Sequence, residues 1–473
     1  MFNRRQFLAT SGAAASLAVG SSCIAASPND KIGLAFIGFG GRAGSLLNSF
    51  TKFSDVEVVA IAEPDTDRLA QAKERAPNAV LVQDMTEVID RPDVDAVVIA
   101  TTNHWHCLAA IRACKAGKDV YVEKPLGHNL YEQEQLVKAA RKYDRMVQVG
   151  TQQRSSEIQA RAKELLHKEK VIGDLKYGVV SRIGRRASIG KRSEPLQVAS
   201  SVDYNQWIGP APDEPLYRDK LHYDWHWDWN TGNGEMGNWG VHVLDDMLNV
   251  GLMDKAGFPT GVQSAGMRLE WGDAGNTPNT QIALFENNLL PISMVMSNLV
   301  PSEALSKGAH NDGFGTGYTL FGEGGRYCGA RGVWKVFDND GKVIEELKGS
   351  DGTGRHQRVF LDAVKSRDRS KLTAEVELGH ISTAWCHLAS IAALEGETSG
   401  GQSVSDSTGH WSDLMDGYLA QVEKKSDGTT PTPAGRIEVD AKTGKVKQVS
   451  SEAAQQLVHR TYRTGEWAAE FEV

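Results

Sequence analysis

Cysteine is scarce in this 473-residue chain: Cys23, Cys107, Cys114, Cys328 and Cys386 are odd in number and share no short repeated spacing. That excludes a disulfide framework and a cysteine zinc site, and predicts buried thiols. Long basic runs are also missing. Lys and Arg total 52 against 60 Asp and Glu, a formal net charge of −8, so nucleic acid is not an expected partner, because binding its backbone needs a concentrated positive face. No His/Cys/Glu spacing suggests a metal, and no G-x-S-x-G turn suggests a serine hydrolase. With 40% hydrophobic and 24% charged residues the chain is neither disordered nor membrane-embedded in type, and its length calls for two domains rather than one core.

What is present begins with an address. Asn3-Arg4-Arg5-Gln6-Phe7-Leu8 resembles the twin-arginine export motif, and a small-residue apolar run over 8–20 leads to Ile24-Ala25-Ala26-Ser27. The run is too short and too alanine-rich to span a membrane. Residues 1–27 are therefore expected to be a removable leader for export to the periplasm or beyond, leaving a mature chain with no membrane span. Lipid anchoring at Cys23 is not expected, since Gly20-Ser21-Ser22 lacks a large aliphatic residue. Twin-arginine export carries folded proteins, so a cofactor would leave with the chain and be tightly held.

From residue 30 to 152, apolar strands alternate with amphipathic helices. Strands are expected near 32–37, 56–62, 79–82, 96–100, 119–122 and 146–149, and helix-length crossovers between them imply an α/β, doubly wound parallel sheet. The first strand runs into Gly38-Phe39-Gly40-Gly41-Arg42-Ala43-Gly44, a G-x-G-x-x-A loop opening a helix. Gly38 permits the tight turn, Gly40 and Gly41 let backbone approach a pyrophosphate, and Ala43 allows helix to pack on strand. The second strand ends in Ala62-Glu63, where a carboxylate can hold ribose hydroxyls and disfavours a 2′-phosphate. NAD is the expected cofactor. NADP stays open, because Arg42 or Arg68 near the same edge can soften that repulsion.

Ile99-Ala100-Thr101-Thr102-Asn103-His104-Trp105-His106, followed by Gly117-Lys118-Asp119-Val120-Tyr121-Val122-Glu123-Lys124-Pro125, strongly resembles the Gfo/Idh/MocA oxidoreductases. Glu123-Lys124-Pro125 is similar to the family's E-K-P motif. The resemblance implies a Rossmann domain in which Thr101, Asn103, His106, Glu123 and Lys124 join the glycine loop at the cofactor. It implies Lys124 beside the substrate hydroxyl, and a second domain built on a large, mostly antiparallel open sheet that often also serves oligomer contacts. A homo-oligomer, dimer or tetramer, is expected. Independently of the family, a lysine at the carboxyl edge of a parallel strand faces the crevice where ligands bind.

After residue 152 the pattern changes. A helix over 157–168 precedes strand-like segments near 175–183, 263–269, 280–285, 292–296, 318–321 and 333–337, with a turn at Asp340-Gly341 and a helix from Gly379 to about Leu394. This is an α+β domain, residues 153–473. Stretches 308–317 and 398–408 read as loops, one of them a candidate lid.

Five of the eleven tryptophans fall between Trp207 and Trp239. Indole faces suit the C–H faces of sugars, and neighbouring polar groups suit hydroxyls, so Trp225, Trp227, Asp228, Arg154, Asp245 and His242 are candidate substrate contacts, with Gln153, Tyr223, His226 and His380 weaker ones. The segment 234–242 resembles the family's D-x-G-x-H signature, with Gly240 and His242 in place and Asn238 where the aspartate belongs. An amide can orient a neighbour but holds no charge. The expected chemistry is hydride transfer between NAD and a sugar or polyol carbinol, with His242 as base, Lys124 polarising the oxygen and Asn238 orienting one of them. Two rivals remain: a glycosidase that oxidises the sugar transiently and eliminates, and a non-enzymatic NAD-binding sensor.

Overall fold

In the computed structural model, which describes residues 31–309, 313–399, 409–426, 428 and 430–473, the apolar runs of the first half form a six-stranded parallel sheet. The expected leader, Cys23, residues 310–312 of one expected loop and 400–408 of the other lie outside the described residues. The other four cysteines are buried.

The strands are β1 (Ile32–Ile37), β2 (Val56–Ala62), β3 (Val80–Val82), β4 (Ala96–Ile99), β5 (Asp119–Val122) and β6 (Val147–Val149), in spatial order β3-β2-β1-β4-β5-β6. Strands β1, β4, β5 and β6 are buried along their whole length, which explains their mostly apolar sequence, broken only by Asp119 in β5 and Gln148 in β6: helices cover both faces. The strand order reverses between β1 and β4, both of which pair in parallel register. A crevice therefore opens at their carboxyl ends, where Gly38 and Thr101 lie.

The second sheet has nine strands in the order β14-β13-β12-β11-β7-β10-β9-β8-β15. They are β7 (Leu175–Ile183), β8 (Gly261–Met267), β9 (Thr280–Glu286), β10 (Ile292–Ser297), β11 (Thr316–Gly322), β12 (Gly325–Ala330), β13 (Val333–Asp338), β14 (Val343–Lys348) and β15 (Gly435–Glu438). Only β7 with β10 is parallel; every other pair is antiparallel. The helix Val376–Ser399 packs across β8 and β15, and Trp385, Phe285, Met294 and Trp334 share the core beneath it.

Three of these strands are absent from the sequence reading, for separate reasons. Strand β12, GRYCGA, is too rich in small residues to show alternation, and forms because a tight turn returns it onto β11 with Gly322 opposite Gly325. Strand β14 is almost wholly exposed, an edge whose charged side chains hide any two-residue period. Strand β15 is a four-residue edge on the other side, paired to β8. The expected helix over 157–168 is continuous in direction but widens from Glu157–Lys163 into a π-type turn, Glu164–Lys168.

The chain also returns to its first half. Helix Thr353–Ser366 inserts Phe360, Leu361 and Val364 beside Ile32, Leu34 and Phe36, and Phe471 near the far end joins the cluster of Val97, Leu108 and Val122. The dinucleotide half is thus completed by residues more than two hundred positions away.

Candidate active site

A cleft of about 330 Å³ opens where the order of the parallel sheet reverses. Its floor begins at Gly38, whose φ of +85° only glycine adopts freely, and where a Cβ would stand 2.8 Å from the Ala100 carbonyl oxygen. Gly40 and Gly41 follow at the first turn of the helix Gly41–Phe50, and a Cβ on Gly41 would meet nothing within 4 Å. The backbone is therefore bare at the amino end of a helix, the arrangement that receives a pyrophosphate. Ala43 is buried in the packing of this helix and does not line the cleft.

Glu63 stands at the end of β2 across the glycine loop. One carboxylate oxygen accepts from the Phe39 backbone N–H at 2.6 Å and the other from that of Asp65 at 3.2 Å. Burial pushes its carboxyl above the usual range, opposed by these hydrogen bonds and by Arg68. Arg68 reaches over the loop, its guanidinium 3.3 Å from where a Gly40 Cβ would be. Arg42 faces the other way and pairs with buried Glu123 at 2.6 Å.

At the carboxyl edge of β5, Lys124 points its ammonium at Asn238, donating to the backbone oxygen at 2.8 Å and to Oδ1 at 3.1 Å. Burial lowers its pKa to about 8; Arg42 and Arg331 push the same way, while Glu123 and Glu235 oppose. Asn238 Nδ2 donates to Glu235 Oε2 at 3.3 Å, and fully buried Glu235 is held by Arg182 at 2.8 Å and Arg186 at 3.1 Å. The carboxylate missing at position 238 is thus present one helical turn earlier, an amide removed from Lys124.

His106 bridges the carbonyls of Pro125 (2.7 Å) and Thr101 (3.3 Å), Asn103 is fixed by Asn233 at 2.9 Å, and Trp105 donates to the Trp207 carbonyl at 3.0 Å. Trp225 stacks on His226 with centroids 3.6 Å apart, and both rings line the cleft beside Tyr223.

The cleft therefore brings together Gly38, Gly40, Gly41, Arg42, Glu63, Arg68, Thr101, Asn103, His106, Glu123, Lys124, Asn238, Tyr223, Trp225 and His226 from the sequence reading. It does not bring in the other candidates. Arg154 is locked between Asp245 and Asp254, at 2.8 and 2.9 Å, with both Arg154 and Asp245 buried away from the cleft. Asp228 pairs with Arg218 at 2.7 Å, and Trp227 is buried with Arg186 over its ring. Gln153 is bonded to Asp246, and His380 to Gln133. His242 is not in the lining; it packs on Trp239, and burial with the charges of Lys124, Arg331 and Arg42 drives its pKa well below the ordinary histidine value. Sequence reading passed over Gln83, Trp105, Gln206, Trp207 and His222 in the lining, and Glu235 behind it. For Glu235 there was a signal: it precedes Asn238 by three positions on a helical segment.

A parallel sheet of this order with a glycine turn and an acidic residue closing its second strand defines a dinucleotide-binding protein of the NAD type. Comparison with known proteins agrees. Residues 32–151 match the model of the Gfo/Idh/MocA oxidoreductase family's NAD-binding Rossmann fold, and residues 186–264 that of the family's C-terminal alpha/beta domain. These two stretches are thus similar to the two domain types of the Gfo/Idh/MocA oxidoreductase family.

Among curated relatives, a "Glycosyl hydrolase family 109 protein" of Solibacter usitatus is 32% identical over 121 residues, 23% of this chain and 28% of the relative. Myo-inositol 2-dehydrogenase of Thermotoga maritima is 30% identical over 115 residues, 24% of this chain and 34% of the relative. The matched stretches thus span about a third of these relatives' length. Among solved structures, aldose-aldose oxidoreductase from Caulobacter crescentus superposes with a TM-score of 0.58 at 16% identity, over 77% of this chain and 98% of that one. The WlbA dehydrogenase from Bordetella pertussis, solved with NADH and UDP-GlcNAcA, gives 0.57 at 16% identity, over 77% and 97%. These two share the fold.

Proposed function

We propose that this chain transfers a hydride between NAD and a carbinol carbon of a sugar, glycoside or polyol. The observation that carries the reading is Lys124: a buried amine with a pKa near 8, at the open end of a cleft whose other end is a bare glycine turn facing Glu63. NAD supplies the hydride acceptor; the chain supplies its cradle in Gly38, Gly40 and Gly41, and its ribose contact in Glu63. That carboxylate favours NAD over NADP.

Lys124 is the group that takes the hydroxyl proton as hydride leaves the adjacent carbon, because burial brings its pKa down to about 8, where part of the amine is unprotonated near neutral pH. Asn238 holds its ammonium in place through two contacts. His242 stays neutral beside them and contributes a hydrogen-bonding imidazole rather than the base. Trp225 and Tyr223 offer ring faces to the sugar. Export by the twin-arginine route, a retained cofactor and a homo-oligomeric assembly belong to the same proposal.

The test is rapid-mixing absorbance of the purified, NAD-loaded protein against a panel of sugars, glycosides and polyols. Bound NADH should form with at least one, and Lys124→Met should slow its formation by about 10²–10⁴-fold while NAD stays bound. An undiminished rate removes Lys124 from the chemistry. Cleavage of a glycoside with no net NADH, and with solvent deuterium entering beside a transient ketone, would instead select the glycosidase reading that the 32% match to a glycosyl hydrolase favours.

A further inference from the structure

Beyond Tyr223 a second hollow opens on the surface of the second domain, enclosing about 860 Å³. That is ample for a ligand unit. Tyr223 lines both the hollow and the cleft, and it is held in an unusual way. Its φ is +69°, an outlier for so bulky a residue, and the residue is 53% exposed. Three contacts fix it there: its carbonyl accepts from the His226 backbone N–H at 3.3 Å and from the His226 ring Nδ1 at 2.5 Å, and its hydroxyl accepts from Arg186 at 3.0 Å. Arg186 also binds Glu235, which binds Asn238, which receives Lys124. The hollow therefore begins a short chain of hydrogen bonds away from the reacting amine, on the substrate side of the cleft.

The wall says what chemistry fits. Three rings, Tyr223, Trp227 and Trp271, stand around it. Arg186 is committed to Glu235, and Lys425 to Glu270 at 2.7 Å. The remaining charges balance: Arg185 and Lys220 against Asp219 and Asp224. A polyanion or a polycation would meet as much repulsion as attraction. A neutral, hydroxyl-rich ligand meets donors and acceptors interleaved with aromatic faces.

We infer that this hollow is the subsite for the unit next to the reacting sugar, so that the substrate is a neutral oligosaccharide or glycoside rather than a free monosaccharide or polyol. The assignment rests on the proposed hydride-transfer reading for which unit reacts.

Calorimetry on the NAD-loaded chain tests it, with glucose, galactose, xylose and mannose set against cellobiose, maltose, lactose, xylobiose and mannobiose. In at least one linkage the disaccharide should bind at least tenfold more tightly than its monosaccharide. Arg185→Ala, at an exposed position, and Trp271→Ala should each lower that ratio by threefold or more. The inference is overturned if no disaccharide outbinds its monosaccharide, or if the ratio survives both substitutions. Because binding is the readout, a disaccharide gain without NAD reduction sinks the hydride-transfer reading alone and leaves the subsite standing.

Discussion

Lys124 grips Asn238 twice, at the backbone oxygen (2.8 Å) and at Oδ1 (3.1 Å), and the far side of the same amide donates through Nδ2 to Glu235 at 3.3 Å. The negative charge of this site is thus set back from the amine by one neutral group, and two arginines already neutralise it. Burial then outweighs Glu123 and Glu235 and leaves the amine near 8, where it exchanges protons at physiological pH.

Asn238→Asp places a carboxylate directly on Lys124. An opposite charge favours the ammonium, so the Lys124 pKa should rise above 8, and the rising limb of the pH–rate profile for substrate oxidation should move to higher pH by about one unit or more. Stopped-flow rates of NAD reduction between pH 6 and 10 measure it. An unmoved midpoint means that Lys124 is not the titrating base.

Glu63→Ala removes an acceptor that faces the glycine loop and also removes its repulsion of a 2′-phosphate. Affinity for NAD should fall by about tenfold or more, while affinity for NADP should fall less or rise, with Arg68 left free over the loop. Titration calorimetry with both cofactors decides; equal losses would place the ribose elsewhere.

Gly38→Ala and Gly41→Ala separate two kinds of glycine in one loop. At Gly38 the backbone is left-handed and a methyl would strike the Ala100 carbonyl, so a loss on the order of 1–3 kcal/mol is expected. At Gly41 nothing lies within 4 Å, and alanine in a first helical turn should be neutral or stabilising by up to about 1 kcal/mol. Chemical denaturation of the two variants without cofactor compares them directly.

What could be read from the sequence divides along the same line. The first sheet was legible because its central strands are buried on both faces and appear as apolar runs, and because a glycine turn and an E-K-P stretch are local in the chain. Glu63, Lys124 and Asn238 carried their positions in the spacing. Arg154, Asp228 and Asp245 look like pocket residues, yet each is consumed by an ion pair with a partner that only the fold supplies, Asp254 and Arg218 among them. Trp207 reaches the cleft through a contact with Trp105, and Arg186 stands behind it, bonded to the Tyr223 hydroxyl; neither contact has any local signature. In the second sheet the exposed β14 and the small-residue β12 gave no alternation to detect.

Glu132 yields a prediction about stability rather than catalysis. It sits in the first turn of the helix Leu130–Lys142, fully buried near Arg460, and burial pushes its carboxyl from 4.5 up to about 7 against the pull of that arginine. Between those two values the folded chain keeps a proton that the unfolded chain has released. Native protein then binds more protons, so stability must fall as pH rises from about 4.5 to 7 and level off above. Glutamine cannot titrate, and Glu132→Gln should lose that component of the slope. Asp246, raised to about 7 by burial and the neighbouring Asp245, titrates in the same window but is present in both proteins and cancels. The variant should therefore gain on the wild type by up to about 3 kcal/mol between pH 4.5 and 7.5, the free energy of a shift of this size. Urea unfolding at four pH values across the interval measures the gap; a gap that stays constant would show that Glu132 holds the same charge in the folded and unfolded chain.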